Sequence, residues 1–230
     1  MYKKFLVMVL LIISIISFTD NTNIGNSSID NSSINSFIIH DFDNALKIGN
    51  ITGKKVIVMF SSESCYYCKK FKSEVLTDKE IQKWLKTEFI FAEIYADKNK
   101  KATYLGKTLN YLELFGAFGV RGTPTFFFFN SKGEALSQLP GYVPNDIFLS
   151  ILKFFKYDKK ITFQEFQEKN IDVSIDKKVL NLSKEEIHFL LKNDPNTKLY
   201  NNNLDEYSNI VLKEKNQSLE EKYYIVIYEK

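Results

Sequence analysis

The sequence predicts an α/β fold: a mixed central sheet flanked by helices on both faces, followed by a small C-terminal α/β extension. Three observations carry this expectation. Apolar runs of strand length alternate with stretches of helical spacing. The run Thr125-Phe126-Phe127-Phe128-Phe129 has no polar interruption, as expected of a strand buried on both faces. Finally, the turn signal Asn130-Ser131-Lys132-Gly133 folds that run back onto Glu134 to Leu139 as a hairpin, which makes the sheet mixed.

Each element has its own signal. Phe37 to Ile48 carries apolar residues at helical spacing, with Gly49 and Gly53 after it. Lys54 to Phe60 reads as a strand buried on both faces. A helix is expected from Cys65 to Val75, and Asp78 caps a second one that presents Ile81, Trp84 and Leu85. Phe89 to Tyr95 is the next strand. Asp97 to Lys107 is a lysine-rich insertion expected to form a surface loop, and Leu109 to Phe118 returns to helical spacing. Pro124 must lie at the mouth of its strand, because a proline inside a central strand deletes a ladder hydrogen bond. Gly141-Tyr142-Val143-Pro144 leads into a closing helix, Asn145 to Phe155.

Beyond residue 156 the signals thin out. Ser183-Lys184-Glu185-Glu186 is a capping box opening a helix with Ile187, Leu190 and Leu191. Lys198 to Tyr200 reads as a short strand and Tyr223 to Tyr228 as a longer one. No cysteine lies here, and His188 reads as a surface or packing residue on its helix, so the expected role is that of an appended lobe for partner docking.

Twenty Phe and thirteen Tyr in 230 residues can supply a substantial core. The formal net charge of +3, part of it from Lys3 and Lys4, is too small to point to nucleic acid or an anionic membrane surface. At the N-terminus a short basic head precedes an apolar run from Phe5 to Phe18 and a polar exit. Residues 1–19 therefore read as a secretory signal peptide or an uncleaved membrane anchor formed by residues 5–18. Asp20 to Ser36, rich in Asn and Ser, reads as a flexible tether. The globular part is expected in a periplasmic or otherwise extracytoplasmic compartment, where a cysteine pair becomes oxidised unless something reduces it.

That pair is Cys65-Tyr66-Tyr67-Cys68, and these are the two cysteines of the chain. They follow the strand ending at Phe60 and open the helix that continues through Lys69, Lys70 and Phe71. A helix N-terminus stabilises a thiolate, the form that attacks disulfides. Two cysteines and two distant histidines do not make a four-ligand zinc site within one chain. The readings left are dithiol redox chemistry, which needs no metal or organic cofactor, and a structural disulfide.

In this setting residues 37–156 resemble a thioredoxin-fold domain. The likeness rests on strand-Cys-x-x-Cys-helix, on Gly122-Thr123-Pro124 further along, and on the hairpin followed by Gly141 and a last helix. Within that superfamily the chain is similar to the exported SoxW-type thioredoxins, through Cys68-Lys69-Lys70, Val75 to Ile81, the Gly106-to-Leu112 insertion and Phe118 to Thr125. Disulfide-bond proteins with thioredoxin-like domains are wider relatives. The resemblance implies that Cys65 attacks and Cys68 resolves. It implies that Pro124 is a cis-proline facing the pair, with the backbone of Thr123 offered to a substrate strand. It further implies disulfide-bearing exported proteins as substrates and a membrane thiol-electron conduit as reductant.

The chain departs from the family at one place. Cytoplasmic thioredoxins carry a buried Asp six residues before the first cysteine, where this chain has Met59. Glu63, two residues before Cys65, is the candidate substitute as proton relay, acting through water. Tyr66 and Tyr67 are expected to form an aromatic rim for docking partners. Neither is the histidine of the strongest oxidants, which argues against a powerful disulfide donor. A disulfide oxidase or isomerase is the alternative within the same class, differing from a reductase only in redox potential and partner. A non-catalytic binding module with a structural Cys65–Cys68 disulfide is the alternative from another class.

Overall fold

A computed structural model describes residues 36–230. The expected signal or anchor segment, and all of the expected tether except Ser36, lie outside the described residues. No helix among the described residues is long and apolar enough to cross a membrane.

The first sheet has five strands in the order β1-β3-β2-β6-β7. These are β1 (Ile38–Ile39), β2 (Lys55–Ser61), β3 (Phe89–Tyr95), β6 (Thr125–Phe129) and β7 (Ala135–Pro140). β3 runs parallel to β1 and β2, whereas β6 is antiparallel to both β2 and β7, so the sheet is mixed. Period-two alternation divides its side chains between two cores. Val56, Val58, Phe60, Ile90, Ala92, Ile94, Phe127 and Phe129 face one core, together with Phe42, Ala45 and Ile48 of α1 (Phe42–Thr52). Ile57, Met59, Phe89, Phe91, Phe126 and Phe128 face the other, against α3 (Lys79–Glu88) and α5 (Asn145–Tyr157). The four consecutive phenylalanines thus follow from a strand with two dry faces.

Several expectations need correction. The N-terminal helix does not begin at Phe37: Ile38 and Ile39 pair with β3, and the helix starts at Phe42 behind Asp41, whose carboxylate accepts the Asn44 N–H. The segment from Cys65 to Val75 is not uniform, since α2 (Tyr66–Lys70) continues as a π-helical turn over Phe71–Val75. The lysine-rich stretch after Asp97 is not a loop but a hairpin of β4 (Lys101–Tyr104) and β5 (Lys107–Asn110). Its two-residue turn, Leu105-Gly106, has φ of 49° and 75°, the sign that hairpin turns of this length require. Ala102 is buried beneath it and Asp43 accepts the Thr103 N–H, while the exposed lysines hide that anchoring from a reading of polarity alone. After β5, α4 (Tyr111–Ala117) is shorter at both ends than its apolar spacing implied.

The C-terminal part is more ordered than its sequence indicated. Following α6 (Phe163–Glu168), a second sheet of four parallel strands has the order β8-β11-β10-β9. It comprises β8 (Lys178–Leu182), β9 (Thr197–Leu199), β10 (Asn209–Leu212) and β11 (Ile225–Glu229), with α7 (Lys184–Asn193) and α8 (Gln217–Lys222) as connections. Leu182, Ile187, Leu190, Val211, Ile225 and Ile227 join the α1-side core of the first sheet, so both parts share one hydrophobic cluster.

Polar groups are buried at the junction. The ammonium of Lys54 donates to the Lys86 carbonyl (2.6 Å) and to Asn209 Oδ1 (3.1 Å). Asn209 in turn donates to Asp194, which also accepts from the Thr197 hydroxyl at 2.6 Å. Glu88 bridges Lys156 (2.9 Å) and Lys178 (3.0 Å).

Burial pushes the Lys54 ammonium down to about 8 from its ordinary 10.5, outweighing the attraction of Asp194. Between those two values the unfolded chain still holds a proton that the folded chain has released, so stability rises with pH across that window. Below it, charged Lys54 costs the fold about 3 kcal/mol. Urea unfolding of wild type and Lys54→Met should therefore show wild type gaining about 2 kcal/mol on the variant between about pH 7 and pH 10. A pH-independent difference would mean that Lys54 stays charged in the fold.

Candidate redox site

The site is assembled at one end of the first sheet. β2 leads through Ser62-Glu63-Ser64 to Cys65, and antiparallel pairing of Phe60 with Thr125 brings the start of β6 to the same end. Residues Cys65 and Thr123-Pro124 therefore both lie beyond the same end of the sheet. The Ser62 and Thr123 hydroxyl oxygens, 3.4 Å apart, link the two loops. The Thr123–Pro124 bond is cis, and the Pro124 carbonyl accepts the Gly141 N–H at 2.8 Å.

Cys65 and Cys68 form a disulfide, with Cα atoms 5.3 Å apart. Cys65 is the N-cap of α2: its backbone is extended, its Sγ accepts the Cys68 N–H at 3.0 Å, and its own N–H donates to the Ser62 carbonyl. Its sulfur thus lies at the positive end of the helical segment 66–75. The two cysteines are both buried but not equally, Cys65 being 8% exposed and Cys68 1%.

Around them the aromatic side chains form a rim. Tyr66 is 69% exposed and Tyr67 55%, with rings 5.3 Å apart. Tyr67 also neighbours Tyr142, whose hydroxyl donates to Glu74 at 2.8 Å and whose ring lies beneath the Lys70 ammonium. Desolvation, then the Glu74 carboxylate, push the Tyr142 phenol up to about 12, so it remains a donor at neutral pH. Sequence reasoning missed Tyr142 in this role, although its place directly after Gly141 in the loop before α5 was a usable signal.

The structure places Glu63 in solvent, with no hydrogen bond or ion pair among the described residues. Met59 is fully buried. A carboxylate does lie on that side of the sheet, but on the next strand: Glu93, in register with Met59 and with its side chain 2% exposed. It accepts from the Tyr95 hydroxyl (2.7 Å) and from Lys72 (3.0 Å), one helical turn beyond Cys68. Burial pulls the Lys72 ammonium down, but its hydrogen bonds to Tyr95 and Glu93 and the charge of Glu93 leave it above an ordinary lysine. Ser61, in register with Tyr95, adds a buried hydroxyl without a hydrogen-bond partner among the described residues. None of these polar groups was singled out in the sequence, because Glu93 sits in an otherwise apolar run. No group of three His, Cys, Asp or Glu placed to hold a metal ion occurs among the described residues.

A Cys-x-x-Cys disulfide at a helix start, beside a cis-proline loop on a mixed sheet, defines a protein of the thioredoxin-fold class. Residues 42–156, half of the chain, match the family described as a thioredoxin-like domain, and the chain belongs to that family. Among solved structures it is similar to a thioredoxin from Thermus thermophilus, with 30% identity over 52% of this chain and 87% of that one, at a TM-score of 0.43. It is similar too to a thioredoxin-fold protein from Helicobacter pylori, with 22% identity over 61% and 92% of the two chains and a TM-score of 0.44. The oxidised C-terminal domain of DsbD from Neisseria meningitidis is 21% identical over 53% and 99%, with a TM-score of 0.39. No match was found among curated proteins.

Removing the Glu93 charge leaves Lys72, itself partly exposed, without its partner. Glu93→Gln should lower stability by about 2 kcal/mol in urea unfolding, less than for a fully buried pair. Met59→Leu, which conserves volume, should cost under about 1.5 kcal/mol. Equal effects of the two would show that the Lys72–Glu93 pair contributes nothing beyond packing.

Proposed function

We propose that this protein is an exported thiol–disulfide oxidoreductase of the SoxW type that reduces disulfides of extracytoplasmic proteins. The observation that carries this reading is a Cys65–Cys68 disulfide at a helix start, beside the cis Thr123–Pro124 loop, with Cys65 the more exposed residue of the pair. The basic head and apolar run at the N-terminus support export.

The Cys65 thiolate attacks one sulfur of a substrate disulfide. A Cys65–substrate disulfide forms as the substrate's S–S bond breaks, and the other substrate sulfur leaves as a thiolate that takes up a proton. Main-chain groups of Thr123 hold the substrate segment during this step. Cys68 then loses its proton and attacks Cys65 Sγ. The mixed disulfide breaks, the second substrate thiol is released, and the Cys65–Cys68 disulfide of the present structure results. Two electrons have passed to the substrate, and a membrane thiol-electron conduit restores the dithiol. Tyr66 and Tyr67 supply an amphipathic docking rim.

The reduction potential of the Cys65–Cys68 pair tests this reading. Equilibrated with glutathione, it should lie at about −270 mV or below, the thioredoxin range. A value of about −120 mV would make the protein a disulfide donor instead. A pair that stays oxidised throughout would make it a binding module with a structural disulfide. In parallel, Cys68→Ser should accumulate a mixed disulfide with substrate, and Cys65→Ser should abolish turnover.

A further inference from the structure

Beside the cis-proline loop lies an open groove of about 470 Å³, with Arg121, Gly122, Thr123, Pro124, Gln138 and Gly141 among its lining residues. Arg121 is the one charged residue lining it. It is exposed and has no ion pair or hydrogen bond among the described residues. Of the 31 lysines and arginines in the chain, it alone is an arginine. A guanidinium presents a fixed fork of donors that matches a carboxylate with two hydrogen bonds, which a lysine ammonium cannot do.

The neighbouring positions leave space for a second chain. Gly122 has no positive φ, and a Cβ built on it would meet no atom within 4 Å, so neither backbone conformation nor packing requires glycine there. The main-chain N–H and C=O of Thr123 make no hydrogen bond among the described residues, while the Gly122 carbonyl is taken by the Thr125 hydroxyl. An extended segment pairing with Thr123 therefore passes over Gly122 unobstructed, and its next side chain comes within reach of Arg121. The other exposed charges near the dithiol, Glu63, Lys69 and Glu74, belong to the Cys65 loop and the helical segment after it rather than to this wall, and Glu74 already accepts from the Tyr142 hydroxyl.

We propose that Arg121 is a specificity residue, selecting disulfides whose flanking sequence carries an aspartate or glutamate beside the cysteine. This rests on the reductase reading and names its substrate class: acidic segments of extended polypeptide. The selectivity is of the size an exposed ion pair supplies, about three- to five-fold in kcat/KM, and salt weakens it.

The test uses the dithiothreitol-regenerated protein and peptides with one disulfide that differ only in an Asp, Asn or Lys beside the cysteine. The readout is the ratio of kcat/KM values between peptides, which a general loss of fold or activity does not move. Wild type should favour Asp over Asn by about three- to five-fold at low salt and lose most of that preference at about 1 M salt. Arg121→Gln should bring the ratio to about one, and Arg121→Glu should turn the preference towards Lys. Gly122→Ala should keep or raise the melting temperature yet lower kcat/KM for every peptide. Equal turnover of the Asp and Asn peptides by wild type, or a preference that survives in Arg121→Gln, would overturn the assignment and leave the reductase reading intact. Failure to turn over any peptide would overturn both.

Discussion

β2 is hydrogen-bonded to β3 along one edge and to β6 along the other, and neither of its faces reaches water. That double pairing fixes its position and direction. Since β6 runs antiparallel to β2, the end of one and the start of the other fall at the same end of the sheet. Cys65 comes from the first and Pro124 from the second, so two loops about sixty residues apart in sequence meet without any flexible segment having to search for its partner. Phe60 and Phe126 to Phe129 hold this arrangement from within, and a strand slipped by one residue would turn every one of these rings to the wrong core.

The second sheet is attached by two kinds of force. Ile187 and Leu190 of α7, Val211 of β10 and Ile225 and Ile227 of β11 extend the α1-side core, and their burial drives the association. The polar chain through Lys54, Asn209 and Asp194 acts differently. Buried donors and acceptors of this kind are costly unless each finds a partner, and they find one another in a single docking orientation. Apolar contact alone would leave that orientation less defined.

How legible this was differs from place to place. The dithiol, its strand and the proline loop could be read directly, because local rules specify them: a buried strand has no polar interruptions, and a proline cannot pair within a ladder. The β4–β5 hairpin was misread because its outward lysines dominate a four-residue strand. Glu93 escaped notice because its partner Lys72 is twenty-one residues away in sequence, and nothing local reports that pairing. β8 and β10 were overlooked because each is short; strand partners on both sides hold β10, whereas β8 lies at the edge of the sheet against β11.

Cys65 is both the more exposed cysteine of the pair and the cap of its own helix. A neutral disulfide sulfur accepts the Cys68 amide weakly, whereas a thiolate would accept it as a charged partner and more strongly. Gaining electrons therefore firms the first helical turn, and losing them loosens it. In hydrogen-exchange terms, the Cys68 amide becomes a built-in gauge of oxidation state, better protected in the dithiol form than in the disulfide form.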